Sequence, residues 1–411
     1  MTIKRKLPFH YAWVILISCF IMTGFTLGTV INCRGVFVTP VCAGLGCSTS
    51  AFSLYVTLYG ISSMITLIKV DKVFERFNIN AVLTTALVGL SASSVIMGSA
   101  TNLAHIYAAG ILQGVSGAFL LFVPSPMLIK SWFNSRRGFA LGIAGTSSGV
   151  VGAFMSPVLN EVIMRFGWRG GYFTQAAVIL IFVAPITLWI IVKEPKDIGL
   201  TPYGESSAER VVSVSRFENS NYMSTGMILC IVYMAVVSIS TCYAQFLSNH
   251  AVTIGFDSRI GALMISCAMI GNTGGKALFG TLSDKFGVKR IASLSAVITA
   301  VGLVIISVST VPMLSCLGAI MFGSCYFNQI VVPPLFVAEV VPKDAYNRAY
   351  PKVTMSQMIT VALTPTIVSA IFDVTASYKP IFVFTLLFQV ISIFLAFTIS
   401  KIINDKKAAA Q

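Results

Sequence analysis

The sequence predicts an all-α integral membrane protein whose twelve transmembrane helices form two pseudo-symmetric bundles of six. Three observations lead to this fold class: the composition, a series of apolar segments of spanning length, and an internal repeat. Of the 411 residues, 56% are hydrophobic and only 10% are charged, whereas about one quarter of the residues in an average soluble domain carry a charge. Such a composition is typical of a chain that crosses the membrane many times.

Twelve apolar segments are long enough to cross a bilayer, which takes about 20 residues of helix. The first follows Lys4, Arg5 and Lys6, and it is too long for the apolar core of a signal peptide. It therefore predicts an uncleaved first helix. The twelve segments cover residues 11–33, 50–69, 80–98, 103–128, 138–160, 171–192, 223–246, 259–280, 289–309, 312–337, 348–371 and 379–401.

One long polar connection separates the sixth segment from the seventh. It contains Pro195, Pro202, Gly204 and several serines, which are residues typical of loops. The chain is therefore expected to divide into three parts: an N-terminal six-helix bundle at 1–193, a cytoplasmic linker at 194–222 and a C-terminal six-helix bundle at 223–411.

The positive charges predict the orientation of the chain in the membrane. With a cytoplasmic N-terminus, five of the 28 Lys and Arg residues fall on the outer side, which leaves 23 on the cytoplasmic side. Cytoplasmic loops carry such an excess, so we expect a multi-pass protein of the plasma or inner membrane with both termini in the cytoplasm. The net charge of +14 then follows from topology, and no nucleic-acid partner is expected. The five outer residues are Arg34, Arg165, Arg169, Arg259 and Lys379.

An internal repeat relates the two halves at a separation of 209 residues. Tandem repeats of this kind are a transporter architecture in which the substrate site lies at the repeat interface. The landmarks that recur are Glu75-Arg76-Phe77 with Asp284-Lys285-Phe286, Pro124 with Pro333 and, to within one residue, Pro157 with Pro365.

The segment 280–290, GTLSDKFGVKR, resembles the loop motif between helices eight and nine of the major facilitator superfamily. The resemblance covers essentially the whole chain. It implies a charged latch that holds the two halves together on the cytoplasmic side, although ordinary positive-inside charge is the alternative. The first-half copy departs from the motif, with Asp71 in place of glycine and Glu75 in place of aspartate. The implied latch residues are Gly280, Asp284, Lys285, Arg290, Glu75 and Arg76.

Residues 124–142 and 167–169 resemble the monocarboxylate and oxalate/formate branch of that superfamily. In this branch an arginine of helix eight engages the substrate carboxylate, and Lys276 stands at the matching position. A lysine offers a point charge where arginine offers a bidentate fork. Asn272 replaces an aspartate that takes part in proton coupling in the monocarboxylate carriers. A lysine that reaches to the cytoplasmic interface is the alternative explanation for Lys276.

Further polar residues at the depth of a central cavity are candidates for substrate binding. Arg34, expected at the outer end of the first helix, can attract anions, or it is an ordinary helix-end cation. The others serve either as substrate contacts or as hydrogen bonds between helices: Tyr55, Tyr59, Gln113, Tyr326, Asn328, Gln329 and Gln357.

We therefore expect a transporter of a small organic anion that works by alternating access and functions as a monomer among membrane lipids. No acidic residue is expected at mid-membrane, which favours exchange or uniport over proton symport. A carrier of a bulkier amphipathic compound and a membrane sensor without transport remain alternatives. No nucleophile–base pair, metal cluster or phosphate loop indicates an enzyme, and no cofactor is expected. Cys42 and Cys47 share a short loop, where either a disulfide or separate thiols are possible.

Overall fold

The computed structural model describes residues 9–134, 137–204, 223–341 and 346–409. Within these ranges, ten helical stretches are long and apolar enough to cross a membrane. One of them, Gly142–Ile190, is two helices, because Gly167 has the non-helical dihedral angles φ 71° and ψ 173°. The helix Ser258–Phe286 brings the number of spans to twelve. The predicted all-α fold with twelve spans is confirmed.

The first six spans are α1 to α6, and most of their ends fall within a few residues of the predicted segments. A short helix, Val70–Arg76, follows α2. The bounds are Ala12–Thr26, Leu27–Asn32 and Gly35–Leu45 for α1; Thr49–Leu67 for α2; Ile79–Gly98 for α3; Leu103–Gly117, Ala118–Phe122 and Pro124–Trp132 for α4; and Arg137–Pro185 with Ile186–Ile190 for α5 and α6, divided at Gly167.

The second six spans are α7 to α12. Their bounds are Thr225–Cys242, Tyr243–Phe246 and Leu247–Thr253 for α7; Ser258–Phe286 for α8; Val288–Val308 for α9; Pro312–Gly323, Cys325–Ile330 and Val332–Val340 for α10; Tyr346–Thr375 for α11; and Lys379–Ala409 for α12.

Polar residues start several spans by capping them. Asn78 and Asn102 precede α3 and α4, and their side chains accept hydrogen bonds from the backbone N–H groups of Asn80 and His105. Ser224 caps α7 in the same way. A side-chain oxygen at this position satisfies a backbone donor that has no partner inside the helix. Asn78 and Asn102 therefore mark helix starts, each with a defined hydrogen bond.

Interruptions at equivalent places in α4 and α10 reflect the repeat. The last part of α4 begins at Pro124, and the last part of α10 begins at Val332 and contains Pro333. Proline has no backbone N–H and its ring clashes with the preceding turn, so it is tolerated at a helix start and breaks a helix interior. Because Pro124 and Pro333 are 209 residues apart, both halves carry the same interruption.

The chain forms two compact units, made of the described residues of Met1–Cys47 with Leu54–Val214 and of Ser48–Ser53 with Ser215–Gln411. The core of the first unit includes the fully buried Trp132 and Phe133, and that of the second includes Tyr233 and Phe327. Residues 205–222 of the predicted linker lie outside the described part, so the predicted domain boundaries stay a prediction.

The start of the predicted linker folds back onto the first unit. Tyr203 pairs with Phe133 in an isolated parallel bridge, and its backbone N–H donates to the Trp132 carbonyl at 2.9 Å. The Trp132 indole donates to the carbonyl of Val192 at 2.9 Å. These bonds attach residues just after α6 to the end of α4.

Close crossings at glycine hold α8 against α10 in the second unit. A Cβ atom at Gly271 would overlap the carbonyl oxygen of Ile320, and one at Gly275 would lie 3.2 Å from Cα of Ser324. A Cβ atom at Gly323 would in turn overlap the carbonyl oxygen of Ala268. Small residues are how membrane helices bring their backbones into contact, because lipid supplies no hydrophobic driving force between helices.

Replacing Gly271 with alanine is expected to destabilise the protein by about 1–3 kcal/mol, because the added methyl group overpacks the α8–α10 crossing. Gly274→Ala is the matched control, since a Cβ atom at Gly274 has no neighbour within 4 Å. Thermal unfolding of the two purified variants in detergent measures the difference. Equal stability of Gly271→Ala and Gly274→Ala would contradict the crossing.

Candidate functional site

Arg34 lies inside the first span and not at its end. The helix continues past Arg34 as Gly35–Leu45, which places Arg34 about 16 Å below that helix end at 1.5 Å per residue. Its exposed fraction is 6%. The predicted segment 11–33 matches the apolar stretch Ala12–Asn32, while the helix of this span resumes beyond it and runs to Leu45. The sequence indicated an end at residue 33 because a charge within an apolar helix is costly unless its neighbours stabilise it.

Three side chains from α2 and α4 surround the Arg34 guanidinium. Its Nη2 donates to Oε1 of Gln113 at 3.2 Å. Its Cζ lies 4.4 Å from the ring centroid of Tyr59 and 5.7 Å from that of Tyr55. An arginine over an aromatic ring is attracted by the ring quadrupole, the more so where water is absent. The structure thus brings together four of the predicted site residues.

Glycines in α4 make this arrangement possible. A Cβ atom at Gly110 would lie 2.8 Å from the carbonyl oxygen of Tyr55, and one at Gly114 would overlap that of Tyr59. Because Gly110 and Gly114 are four residues apart, they share one helix face. The backbone of α4 therefore touches α2 at both tyrosines, and Gln113 comes within reach of Arg34.

Tyr172 of α6 joins this group, although the sequence reasoning missed it. Its ring stacks on Phe37, which lies about one turn after Arg34 in α1, with centroids 4.1 Å apart. The only signal in the sequence is its position one turn after Trp168 of the recognised motif. We call Arg34, Tyr55, Tyr59, Gln113 and Tyr172 the arginine cluster.

The arginine cluster contains buried polar atoms that have no hydrogen-bond partner among the described residues: Nε of Arg34 and the hydroxyls of Tyr59 and Tyr172. Buried polar groups are nearly always hydrogen-bonded in native proteins. The ion pairs found in the described part join Arg165 to Glu161 and Lys196 to Glu194, so neither involves Arg34. The cluster therefore offers unused donors around an arginine that has no carboxylate partner there.

Asn272 and Lys276 share one face of α8 in the second unit, as their spacing of four predicts. Asn272 is 3% exposed, its Oδ1 has no partner among the described residues, and its Nδ2 makes a weak contact of 3.8 Å with the sulfur of Met269. Lys276 is half-buried. The helix runs on to Phe286, about 15 Å beyond Lys276, and so extends past the predicted segment end at residue 280.

The other predicted site residues of the second unit differ in role. Asn328 is buried and donates to the carbonyl of Ala292 at 3.1 Å. This is a hydrogen bond between helices, which was the alternative to a substrate contact for Asn328. Gln329 is buried, whereas Tyr326 and Gln357 are half-buried.

The implied latch residues lie near the ends of α2 and α8. Glu75, Arg76, Lys285 and Arg290 are exposed, and the side chain of Asp284 is outside the described part. Gly280 lies in α8, where a Cβ atom would meet no neighbour within 4 Å. The latch therefore stays a prediction.

The cysteines and acidic residues of the described ranges form neither a disulfide nor a metal-binding group. None of the nine cysteines, Cys42 and Cys47 included, is in a disulfide. Within the described ranges, no group of three or more His, Cys, Asp or Glu side chains is placed to hold a metal ion.

The profile of the Major Facilitator Superfamily matches residues 13–257 and 229–410. The chain therefore belongs to the major facilitator superfamily, a family of multi-pass membrane transporters. It is 23% identical to monocarboxylate transporter 12 of Xenopus laevis over 97% of this chain and 91% of that protein. This similarity confirms the predicted monocarboxylate branch.

Solved transporter structures share the fold. The structure of a bacterial homologue of the human lysosomal transporter Spinster, inward-facing and unoccupied, has a TM-score of 0.70 at 12% identity over 95% of this chain and 97% of that chain. A structure of the nucleoside transporter NupG has a TM-score of 0.72 at 12% identity over 95% and 99% of the two chains. At this identity the likeness concerns the fold alone.

Gln113→Leu is expected to destabilise the first unit by about 1–3 kcal/mol, because the Arg34 guanidinium loses its acceptor while it remains buried. In an Arg34→Met background the same substitution should cost much less, since no charge is left to satisfy. Thermal unfolding of the four proteins of this double-mutant cycle measures the coupling. Equal losses in the two backgrounds would contradict the Arg34–Gln113 interaction.

Proposed function

We propose that this transporter carries a small organic anion whose carboxylate binds at Arg34. The observation that supports the proposal is the buried Arg34 guanidinium, whose Nε has no partner among the described residues. An arginine presents its N–H groups as a rigid fork that matches the two oxygens of a carboxylate. Gln113 accepts one hydrogen bond from Nη2, and the Nε–H group, which has no partner among the described residues, remains for the anion.

The tyrosines of the cluster complete the proposed site. The Tyr59 and Tyr172 hydroxyls lack partners among the described residues and can donate to carboxylate oxygens. Hydrogen bonds to an ionised acceptor are about twice as strong as those between neutral groups. The rings of Tyr55 and Tyr59 offer apolar faces to the carbon chain of the same substrate. These features favour a short carboxylate that has one charged end.

Lys276 and Asn272 are proposed as a second contact region, on α8. This assignment comes from the resemblance to the monocarboxylate branch, in which an arginine stands where Lys276 does. Asn272 cannot titrate, and no acidic residue lies in the arginine cluster. We therefore propose exchange or uniport by alternating access, without proton transfer through a protein carboxylate.

Arg34→Gln is expected to lower the transport rate by about 30-fold or more, which corresponds to the ~2 kcal/mol lost when one partner of a buried charge pair is removed. The assay is counterflow of labelled short monocarboxylates into proteoliposomes. Arg165→Gln is the matched control, because Arg165 is exposed and pairs with Glu161 at the helix surface. Full uptake by Arg34→Gln would exclude Arg34 as the carboxylate site.

Lys276→Gln tests the second region in the same assay, with Lys379→Gln as its control, because Lys379 is exposed and belongs to neither proposed region. Loss of uptake with unchanged thermal stability is the expected result for Lys276→Gln. If purified protein exchanges bulky amphipathic compounds and no short carboxylate, the alternative substrate class is the right one. Absence of counterflow for every compound would favour a sensor.

Exchange of the identified anion is expected to continue when a protonophore collapses the proton gradient, because no protein carboxylate is proposed to carry the proton. Uptake of labelled substrate is compared with and without an imposed inward proton gradient, in empty and in substrate-loaded proteoliposomes, and the internal pH is recorded. Strict coupling of one proton to each anion would contradict the proposed mode.

A further inference from the structure

The second unit contains a pair of cysteines that the proposed function does not use. Cys267 of α8 and Cys316 of α10 lie opposite each other across the α8–α10 crossing, with the same separation of 49 residues as the glycine contacts of that crossing. Both side chains are half-buried. The pair lies within the spans α8 and α10. Exposed aliphatic side chains lie within one turn of the two cysteines, among them Leu263, Ile270 and Leu317. Apolar reagents dissolved in the membrane can therefore reach the sulfurs.

The register of the two helices explains why these sulfurs meet. The contacts Gly271–Ile320 and Gly275–Ser324 join residues that are 49 positions apart. Cys267 and Cys316 have the same separation and lie one helical turn before Gly271 and Ile320. Both glycine contacts bring the two backbones into direct touch, so the turn that carries the cysteines is held close as well.

We propose that Cys267 and Cys316 form a dithiol site for a thiophilic electrophile that bonds both sulfurs at once, of the trivalent arsenical class. Each thiol gives its proton to the oxygen of an aryl arsenoxide, and each sulfur forms a bond to arsenic as the arsenic–oxygen bonds break. The products are one dithioarsenite, bridging α8 and α10, and one water. No oxidant or reductant is needed, because arsenic stays trivalent and sulfur keeps its oxidation state.

Two features make this ligand class fit the pair. Soft thiol ligands select soft metals and metalloids over hard cations. The reaction also uses neutral thiols, which suits sulfurs in apolar surroundings, where the thiolate needed for other cysteine chemistry is disfavoured. The bridge ties α8 to α10 two turns before Lys276, so occupation of the site fixes the segment of α8 that carries Asn272.

The test uses the full-length protein with Cys42→Ser and Cys47→Ser, since those two cysteines are five residues apart at the end of α1 and could compete as a pair. The protein is treated with phenylarsine oxide, desalted in the presence of a monothiol, and analysed for arsenic by elemental mass spectrometry. One arsenic per chain is expected, together with the loss of two thiols to maleimide labelling under denaturing conditions.

Adding Cys267→Ser or Cys316→Ser should reduce the retained arsenic to nearly zero, because a single thiol cannot hold the metalloid against a competing monothiol. Adding Cys19→Ser, at a buried cysteine of α1, should leave it at one per chain. Cys267→Ala and Cys316→Ala replace any serine variant that fails to elute as a single species. Full retention by both single variants, or no arsenic in the parent protein, would overturn the proposal.

Discussion

Close helix crossings at small residues are the constraint on which both candidate regions depend. In a membrane, helices gain little from excluding lipid, so direct backbone contact must hold them together. Gly110 and Gly114 bring α4 onto α2 at Tyr55 and Tyr59, and Gly271 brings α8 onto α10 at Ile320. The first crossing delivers Gln113 to Arg34, and the second sets the position of the helix face that carries Lys276.

The arginine cluster shows how an apolar bundle holds a charge. Arg34 is 6% exposed, yet its neighbours in the described part of the chain are an amide and aromatic rings and no carboxylate pairs with it there. Those neighbours reduce the cost of burial without neutralising the charge. A buried carboxylate would form a closed ion pair, whereas this arrangement leaves the positive charge available to an anion. A weaker example lies in α8, where the buried amide oxygen of Asn272 has no hydrogen-bond partner in the described part of the chain.

The sequence predicted most span boundaries to within a few residues, because apolar length and capping residues are local properties. It placed Arg34 at the outer end of the first helix and did not predict the further helix Gly35–Leu45, because the side chains that stabilise a charge at this position come from other helices. Tyr172 was missed for a related reason. Its position follows from the packing of α6 on the second part of α1, where Phe37 stacks on its ring, and neighbouring sequence carries no sign of that contact.

The sequence by itself determined the class of the protein, the number of spans, the repeat of 209 residues and the motifs of the superfamily. These properties depend on composition, periodicity and residues close together in the chain. Tertiary structure alone decided which polar residues meet. Tyr55, Tyr59 and Gln113 reach Arg34 from helices that are distant in sequence, and glycine contacts set how closely those helices approach. A single sequence does not encode such distances locally, so the candidate site became visible only in the folded chain.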